Sequence, residues 1–403
     1  MSGRVGDLSV KQSQLLEKFR LNVSDILEPK HDDHFLLRWL RARCFDLKKS
    51  EAMLRNHLAW RKKVGADTIL EDCVLPEVIT TYYAGGWCGF DKEGDPVWVD
   101  PVGRLDLKGI AHSAKKEDII KSKIMCVERG YRMMADQSKK LGKRVSQLCI
   151  IFDMEGFGMK HLWKPGVDIF CEILEMFESN YPETLKRCYV INAPKIFPLA
   201  YHIVKPILSE DTKNKIKVLG SNWKERVLRD IDPNEIPLYW GGTRTDPDGN
   251  PFCKSKVCIG GEVPKSYYLR EKDQLSSEYL VKSVIKKGSM LPVELEVNEP
   301  GCAIRWEFHT ENHDIGYAIY YKTSPGEQNV SDMEVVVGNK RVNSHLVPED
   351  GTVYCSKAGI YVFCFDNSYS WTRSKTVLYV IEVIHPETPS AMCNGYTQED
   401  GNE

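Results

Sequence analysis

The stretch V190-I-N-A-P-K-I-F-P-L-A-Y-H-I-V-K-P-I-L208 decides how this chain is read. It follows an apolar run that has the composition of a strand, it holds Pro194, Pro198 and Pro206, and it carries almost no charge. Pro194 ends the strand, Pro198 suits a first helical turn where its missing N–H costs nothing, and Pro206 disturbs the last turn. Set at 100° per residue, Phe197, Leu199, Ala200, Tyr201, Ile203, Val204, Ile207 and Leu208 cover an arc of roughly 200°, twice what a surface helix turns to its core. The surplus must meet something apolar. Two readings stay open: a fully buried core helix, or a movable lid that closes inward on an oily ligand and dips outward into a bilayer. The basic segment after it, with Lys213, Lys215 and Lys217, would then lie near lipid headgroups.

Working outward, strands alternate with helices from about residue 76 to 243. PVWVD, VSQLCIIFD and CYVINAP are short and apolar on both faces, with the helical segments EDIIKSKIMCVERGYRMM and KPGVDIFCEILEMFESN between them. That alternation predicts an α/β domain with a largely parallel sheet. GGWCGF at 85–90 reads as a loop entering the DKEGD hairpin. Residues 1–75 read as helices, with Ser9, Asp32 or Asp33, and Asp46 as N-caps. Residues 244–274 are rich in Gly, Pro and turn formers and read as an ordered linker. From 275 to 385, short alternating strands separated by turns predict an antiparallel β-sandwich, and 386–403 reads as a disordered tail. The expected fold is therefore multidomain.

The 403 residues carry a net charge of −2, which argues against nucleic acid as a partner. No apolar run approaches the roughly 20 residues that span a bilayer, and MSGRVGDLSV is not a secretory leader. Thirteen cysteines without a C-x-x-C pair fit reduced thiols. A cytoplasmic protein with reversible association with membranes is the expectation. Catalytic motifs fail: G156-F-G lacks the rest of a dinucleotide fingerprint, L141-G-K-R-V-S lacks phosphate-loop spacing, and no G-x-S-x-G elbow occurs. Asp153 and Glu155 end a strand, where structural or headgroup roles outweigh acid–base chemistry. His309 and His313 lack a third metal ligand. No enzyme, cofactor or metal is expected.

LLRWLRARCFDLKKSEAML and NYPETLKRCYVINAPKIFPLAYHIVKPILSEDTKNKIKVLG resemble the CRAL-TRIO family of lipid-binding and lipid-transfer proteins. The order also matches members with a C-terminal GOLD domain (Golgi dynamics): a helical N-terminal part, a lobe ending in YWGG, then a jelly-roll-like β-sandwich. The resemblance implies a non-enzymatic carrier that moves a hydrophobic molecule between membranes. Residues 195–208 match the exchange gate, with Phe197, Leu199, Ile203, Val204, Ile207 and Leu208 as its apolar surface. The ligand walls it implies are Trp87, Trp98, Leu148, Ile150, Phe152, Phe170 and Phe177. Four of these, Trp87, Trp98, Leu148 and Ile150, stand where relatives that hold phosphatidylcholine offer hydroxyls, so tocopherol, squalene or a retinoid suits the lining better than that phospholipid. Arg43, Glu183, Thr212 and Lys215 match the phosphoinositide headgroup positions, while Cys44 replaces a lysine of that cluster. The other reading is a ligand-sensing adaptor whose GOLD domain recruits a protein or membrane partner.

Overall fold

Helix α1 (Val10–Asn22) starts at Ser9, whose hydroxyl accepts from the Gln12 N–H while the Gln12 side chain returns to the Ser9 N–H. This reciprocal cap satisfies two donors that a helix N-terminus leaves orphaned. Asp32 caps α2 (Asp33–Ala42) and Asp46 caps α3 (Leu47–Val64). The three helices close over a core of Phe19, Leu36, Trp39, Leu40 and Leu54. The computed structural model describes residues 2–269, 281–324, 326 and 328–386, so the tail expected from 386 onward lies almost wholly outside the described residues.

Short helices α4 (Ile69–Asp72) and α5 (Glu77–Tyr82) lead into a five-stranded sheet. Its order is β1 (Gly86–Phe90), β2 (Pro96–Asp100), β3 (Leu148–Asp153), β4 (Leu185–Ile191) and β5 (Ile216–Val218). β1 runs antiparallel to β2, and the remaining pairs are parallel. The connections are α6 (Leu107–Ser113) with α7 (Lys116–Leu141), then α8 (Lys164–Asn180), then α9 (Phe197–Val204) with α10 (Glu210–Lys215); α11 (Trp223–Asp230) follows β5. GGWCGF is thus an edge strand and not the loop expected from its glycines. Gly86 and Gly89 are there because other backbone passes close by: a Cβ on Gly86 would sit 2.0 Å from the Lys256 carbonyl, and one on Gly89 2.4 Å from the Glu235 carbonyl.

The two sheet faces differ. Cys88, Val97, Val99, Cys149, Ile151, Tyr189 and Ile191 pack densely with Trp223, Val227 and Trp240. The opposite face looks toward α7, α8 and α9. Residues 244–269 fold back onto the lobe, burying Cys253, Val257 and Val263, with bridges from Gly85 to Cys258 and from Leu105 to Gly261.

The C-terminal part is a β-sandwich built as expected from alternating strands. One sheet orders β10 (Glu334–Val342), β9 (Ile315–Tyr321), β12 (Gly359–Asp366) and β7 (Met290–Val297). The other orders β11 (Glu349–Tyr354), β8 (Ala303–Thr310), β13 (Lys375–Ile384) and β6 (Val281–Ile285). All these pairings are antiparallel. Trp306, Phe308, Tyr317, Phe363 and Phe365 fill the space between the sheets. Pleat alternation turns their intervening neighbours outward.

Candidate functional site: a partly covered sheet face beneath α9

Alternation along β3 sends Cys149 and Ile151 into the dense core and Ile150 and Phe152 to the other side. Residues in a central strand with helices on both faces are normally sealed. Ile150 and Phe152 are only half-buried, as are Trp98 on β2 and Trp87 on β1. Opposite them, α8 packs chiefly on α3, α6 and α7, and its Ile169, Ile173 and Met176 belong to a separate helical core. Phe170, Leu174 and Phe177 stay half-buried. Helix α7 packs on the sheet through Met134 against Leu148, while Ile150 and Phe152 of β3 and Phe170, Leu174 and Phe177 of α8 remain only partly covered.

Among the implied walls, Trp87 and Trp98 meet edge to face at 5.2 Å. Ile150 and Phe152 share a cluster with Phe197 of α9. Leu148 is buried against Met134 and Val145, and Phe177 leans on the helical core. These last two act as packing. The Trp87 indole N–H is buried and has no hydrogen-bond partner among the described residues. Sequence reading missed one polar spot on this face: Lys123 of α7 lies 3.7 Å from Asp100, both nearly buried, and 4.1 Å from the Tyr83 ring centroid. Burial pushes the Asp100 carboxyl up. Burial alone would lower Lys123, but Tyr83 and Asp100 outweigh it and raise its pKa. On a helix wheel Lys123 is indistinguishable from a solvated lysine, so no local signal announced it.

Helix α9 begins with Pro198 in its first turn and ends at Val204, two residues before Pro206. Both sides of it are occupied. Phe197 and Tyr201 face Met154, Cys188 and Val190 on the sheet. Leu199, Ala200 and Ile203 face Leu162 of the lobe and Ala303 and Ile384 of the sandwich. Phe197, Leu199 and Leu208 are buried; Ile203, Val204 and Ile207 are half-buried. The wide apolar arc is thus met, in this conformation, by sheet on one side and sandwich on the other. Arg305 of β8 reinforces the contact by donating Nη1 to the Leu162 carbonyl at 2.7 Å, while Nε and Nη2 hold Glu382. Lys108 also pairs with Asp350 across the same boundary.

Of the residues the resemblance assigns to a headgroup, Glu183 stands just before β4, on which α10 with Thr212 and Lys215 packs, while Arg43 bonds elsewhere. Glu183 adopts φ 61°, a left-handed conformation that is costly for a residue with a Cβ. Its carboxylate pairs with Arg41, N to O 2.6 Å, and both are largely buried. Arg43 instead donates to the Ala42 carbonyl. Burial lowers the Arg41 pKa; Glu183 and Asp211 pull it back up. Thr212 and Lys215 lie on α10, where the Ser209 hydroxyl accepts from the Thr212 N–H and Lys215 pairs with Asp211. Behind them Arg38 bonds the Tyr131 hydroxyl, the Thr184 hydroxyl and the Ser146 carbonyl. The cation that meets Glu183 is therefore Arg41, which the resemblance does not assign to a headgroup.

Other features carry no chemistry. Asp153 accepts from the Trp240 indole, the Glu155 N–H and the Asn192 amide, so its lone pairs serve structure. A groove of about 220 Å³ lined by Ala66, Asp67, Leu70, Glu128, Tyr131 and Arg132 is of mixed polarity; it is below the roughly 300 Å³ a drug-sized ligand needs. Among the described residues, Glu299, Cys302 and His385 are the one group spaced for a metal, and there Cys302 and His385 already face each other at 3.4 Å.

A helical cap, a mostly parallel sheet with a partly covered apolar face and a short proline-bounded helix over it frame the candidate site. The chain belongs to the CRAL/TRIO family: residues 80–242 match the CRAL/TRIO domain and residues 11–56 its N-terminal domain. It is 33% identical over 339 residues to a CRAL-TRIO domain-containing protein of Caenorhabditis elegans, covering 80% of this chain and 46% of that protein. It is 31% identical over 343 residues to Protein real-time of Aedes aegypti, covering 81% of this chain and 52% of that one. The chain thus spans about half the length of these relatives. The crystal structure of Sfh5 superposes with TM-score 0.49 at 18% identity, covering 59% of this chain and 88% of Sfh5. Proteins with this domain bind and transfer lipids. Among the described residues no helix is long and apolar enough to cross a membrane.

Proposed function

We propose that this protein carries one hydrophobic molecule between membranes, enclosing it between the unsealed sheet face and α8, with α9 as the gate. The observation that carries the reading is the half-burial of Trp87, Trp98, Ile150 and Phe152 on a sheet covered on both sides. A folded core would seal such side chains unless the space were kept for a guest. The energetic need is plain. Each CH₂ exposed to water costs about 0.8 kcal/mol, so a sixteen-carbon chain leaving a bilayer unaided faces roughly 12 kcal/mol. A closed apolar hollow removes most of that penalty, provided a gate opens at the membrane.

The lining favours a mostly hydrocarbon ligand such as tocopherol, squalene or a retinoid. A phosphocholine group against Trp87, Trp98, Leu148 and Ile150 would leave polar atoms unpaired at about 1–3 kcal/mol each. The Arg41–Glu183 pair with Thr212 and Lys215 supports inositide headgroup contact at the mouth. The twelve free thiols of the described residues suit the reducing cytoplasm. The test is solvent extraction of the purified protein followed by mass spectrometry, together with transfer of the recovered lipid between vesicles. Binding without faster transfer would favour a second reading, a ligand-sensing adaptor, which the sandwich's contact with α9 supports because ligand entry would be felt there. Recovery of no hydrophobic molecule, with no uptake from vesicles, would end both.

A further inference from the structure

The end of the sandwich remote from α9 carries chemistry that the carrier reading leaves unused. The β12–β13 loop, residues 367–374, holds Trp371 at 90% exposure, and Met290 beside it at the start of β7 is 45% exposed. The β6–β7 turn at the same end presents Lys286 and Lys287, both exposed. Loop and turn are bound together. The buried Asn367 amide donates to the carbonyls of Ile285, Lys286 and Arg373 at 3.3, 3.2 and 3.0 Å. The Gly288 N–H donates to the Asn367 carbonyl, and the Asn367 N–H to that of Ser289. Ser370 Oγ closes the loop on the Arg373 carbonyl, and Tyr369 is held between Arg341 and Lys375. The indole is held out into solvent by an ordered scaffold.

The charge around it is one-sided. Among the described residues near this end, the carboxylates Glu311, Asp314, Glu349 and Asp366 are each engaged: Glu311 by Lys282, Asp314 by Arg341 and Lys375, Glu349 by the Tyr317 hydroxyl, Asp366 by Asn339 and the Ser368 N–H. Among the described residues Lys286, Lys287 and Lys340 have no carboxylate within ion-pair distance, and Arg373 touches His313. A hollow of about 100 Å³ nearby, lined by Asn312, His313, Ser374, Lys375 and Thr376, is polar, so it offers no apolar socket for a partner's side chain.

We infer that this end is a membrane-docking tip: Trp371 seats at the interface of an anionic bilayer, and Lys286, Lys287, Lys340 and Arg373 meet its phosphates. Tryptophan is the side chain best suited to the headgroup level, with an apolar ring and one polar N–H. Unpaired lysines near an anionic leaflet each strengthen binding by about fivefold. β13 runs from Lys375 beside the tip to Ile384 beside α9, ten residues. At about 3.3 Å each, the tip stands roughly 30 Å from the gate contact. Docking there leaves α9 unobstructed and keeps the sandwich on the membrane when the gate contact parts.

The experiment is co-sedimentation of the full chain with vesicles of phosphatidylcholine, pure or with about one-third phosphatidylserine. The unaltered protein is expected to bind the anionic vesicles, to release as salt rises from roughly 0.05 to 0.5 M, and to show tryptophan quenching by brominated lipid. Trp371→Ala should lose the tip's share of that quenching and weaken binding about tenfold; Lys286→Glu with Lys287→Glu should weaken it at least as much. These positions are exposed, and circular dichroism checks that the fold is kept. Hydrophobic ligand recovered from the tip variants by solvent extraction should equal that from the unaltered protein, so failure of docking and failure of the carrier reading are told apart. Equal binding by the tip variants and the unaltered protein, equal binding to neutral vesicles, or binding to neither would overturn the inference.

Discussion

Arg305→Met tests whether the sandwich holds α9 shut. Methionine keeps the apolar stem of a side chain that is 7% exposed, and removes the donor that reaches the Leu162 carbonyl at 2.7 Å. Glu382 loses its cation, but at 38% side-chain exposure water can replace it. The loss is then chiefly one charge-assisted hydrogen bond across the boundary, about 1.5–3 kcal/mol. A factor of ten per 1.4 kcal/mol makes that a roughly 10- to 150-fold shift toward the undocked sandwich. Hydrogen exchange should speed up in α9 and in residues 159–162, while the sandwich core around Phe363 keeps its protection. Transfer of a fluorescent lipid between vesicles should accelerate if undocking precedes opening. Faster exchange with unchanged transfer would refute the link between this contact and the gate. Unchanged exchange would show that Arg305 does not hold the two parts together.

Ile203→Asp places a charge on the half-buried face of α9; transfer should fall while the thermal transition survives, and unaltered transfer would remove α9 from the gate role. Lys215→Glu should weaken inositide vesicle binding and spare uptake of a neutral hydrocarbon, which a paired vesicle and extraction assay reads. Glu183→Gln leaves Arg41 without its counter-charge, so inositide selectivity in the same assay should change more than hydrocarbon uptake. His57 gives a pH signature. Burial lowers its pKa to about 4 from the usual 6.5, so it is neutral when folded, and below pH 6.5 the unfolded chain binds a proton the folded chain refuses. Its contribution is therefore full above pH 6.5 and lost as pH falls toward 4, about 3 kcal/mol in all. The melting temperature of His57→Phe should fall less steeply across that window than that of the unaltered protein.

Much of the architecture was legible locally. Helix α8 spans Lys164–Asn180, the helical segment KPGVDIFCEILEMFESN residue for residue, and the caps at Ser9 and Asp46 are where the helices start. Strand β2 matches PVWVD residue for residue. Each depends on near neighbours in sequence: a helical period, a cap bond three residues away, a pleat of two. β1 was not legible, because Gly86 and Gly89 answer to Lys256 and Glu235, about 150 residues further along. Nor could the sequence choose between Arg41 and Arg43, since either can leave the end of α2 and only the placement of Glu183 selects one.

The amino-acid order alone determined that residues 197–208 carry more apolar surface than one core face can absorb, because that is a sum over side chains on a known helical period. Which surfaces absorb it was decided by tertiary structure. Sheet on one side and Ala303 and Ile384 on the other come from segments remote in the chain, and the partner of an apolar face is set by long-range packing, for which a local pattern holds no address.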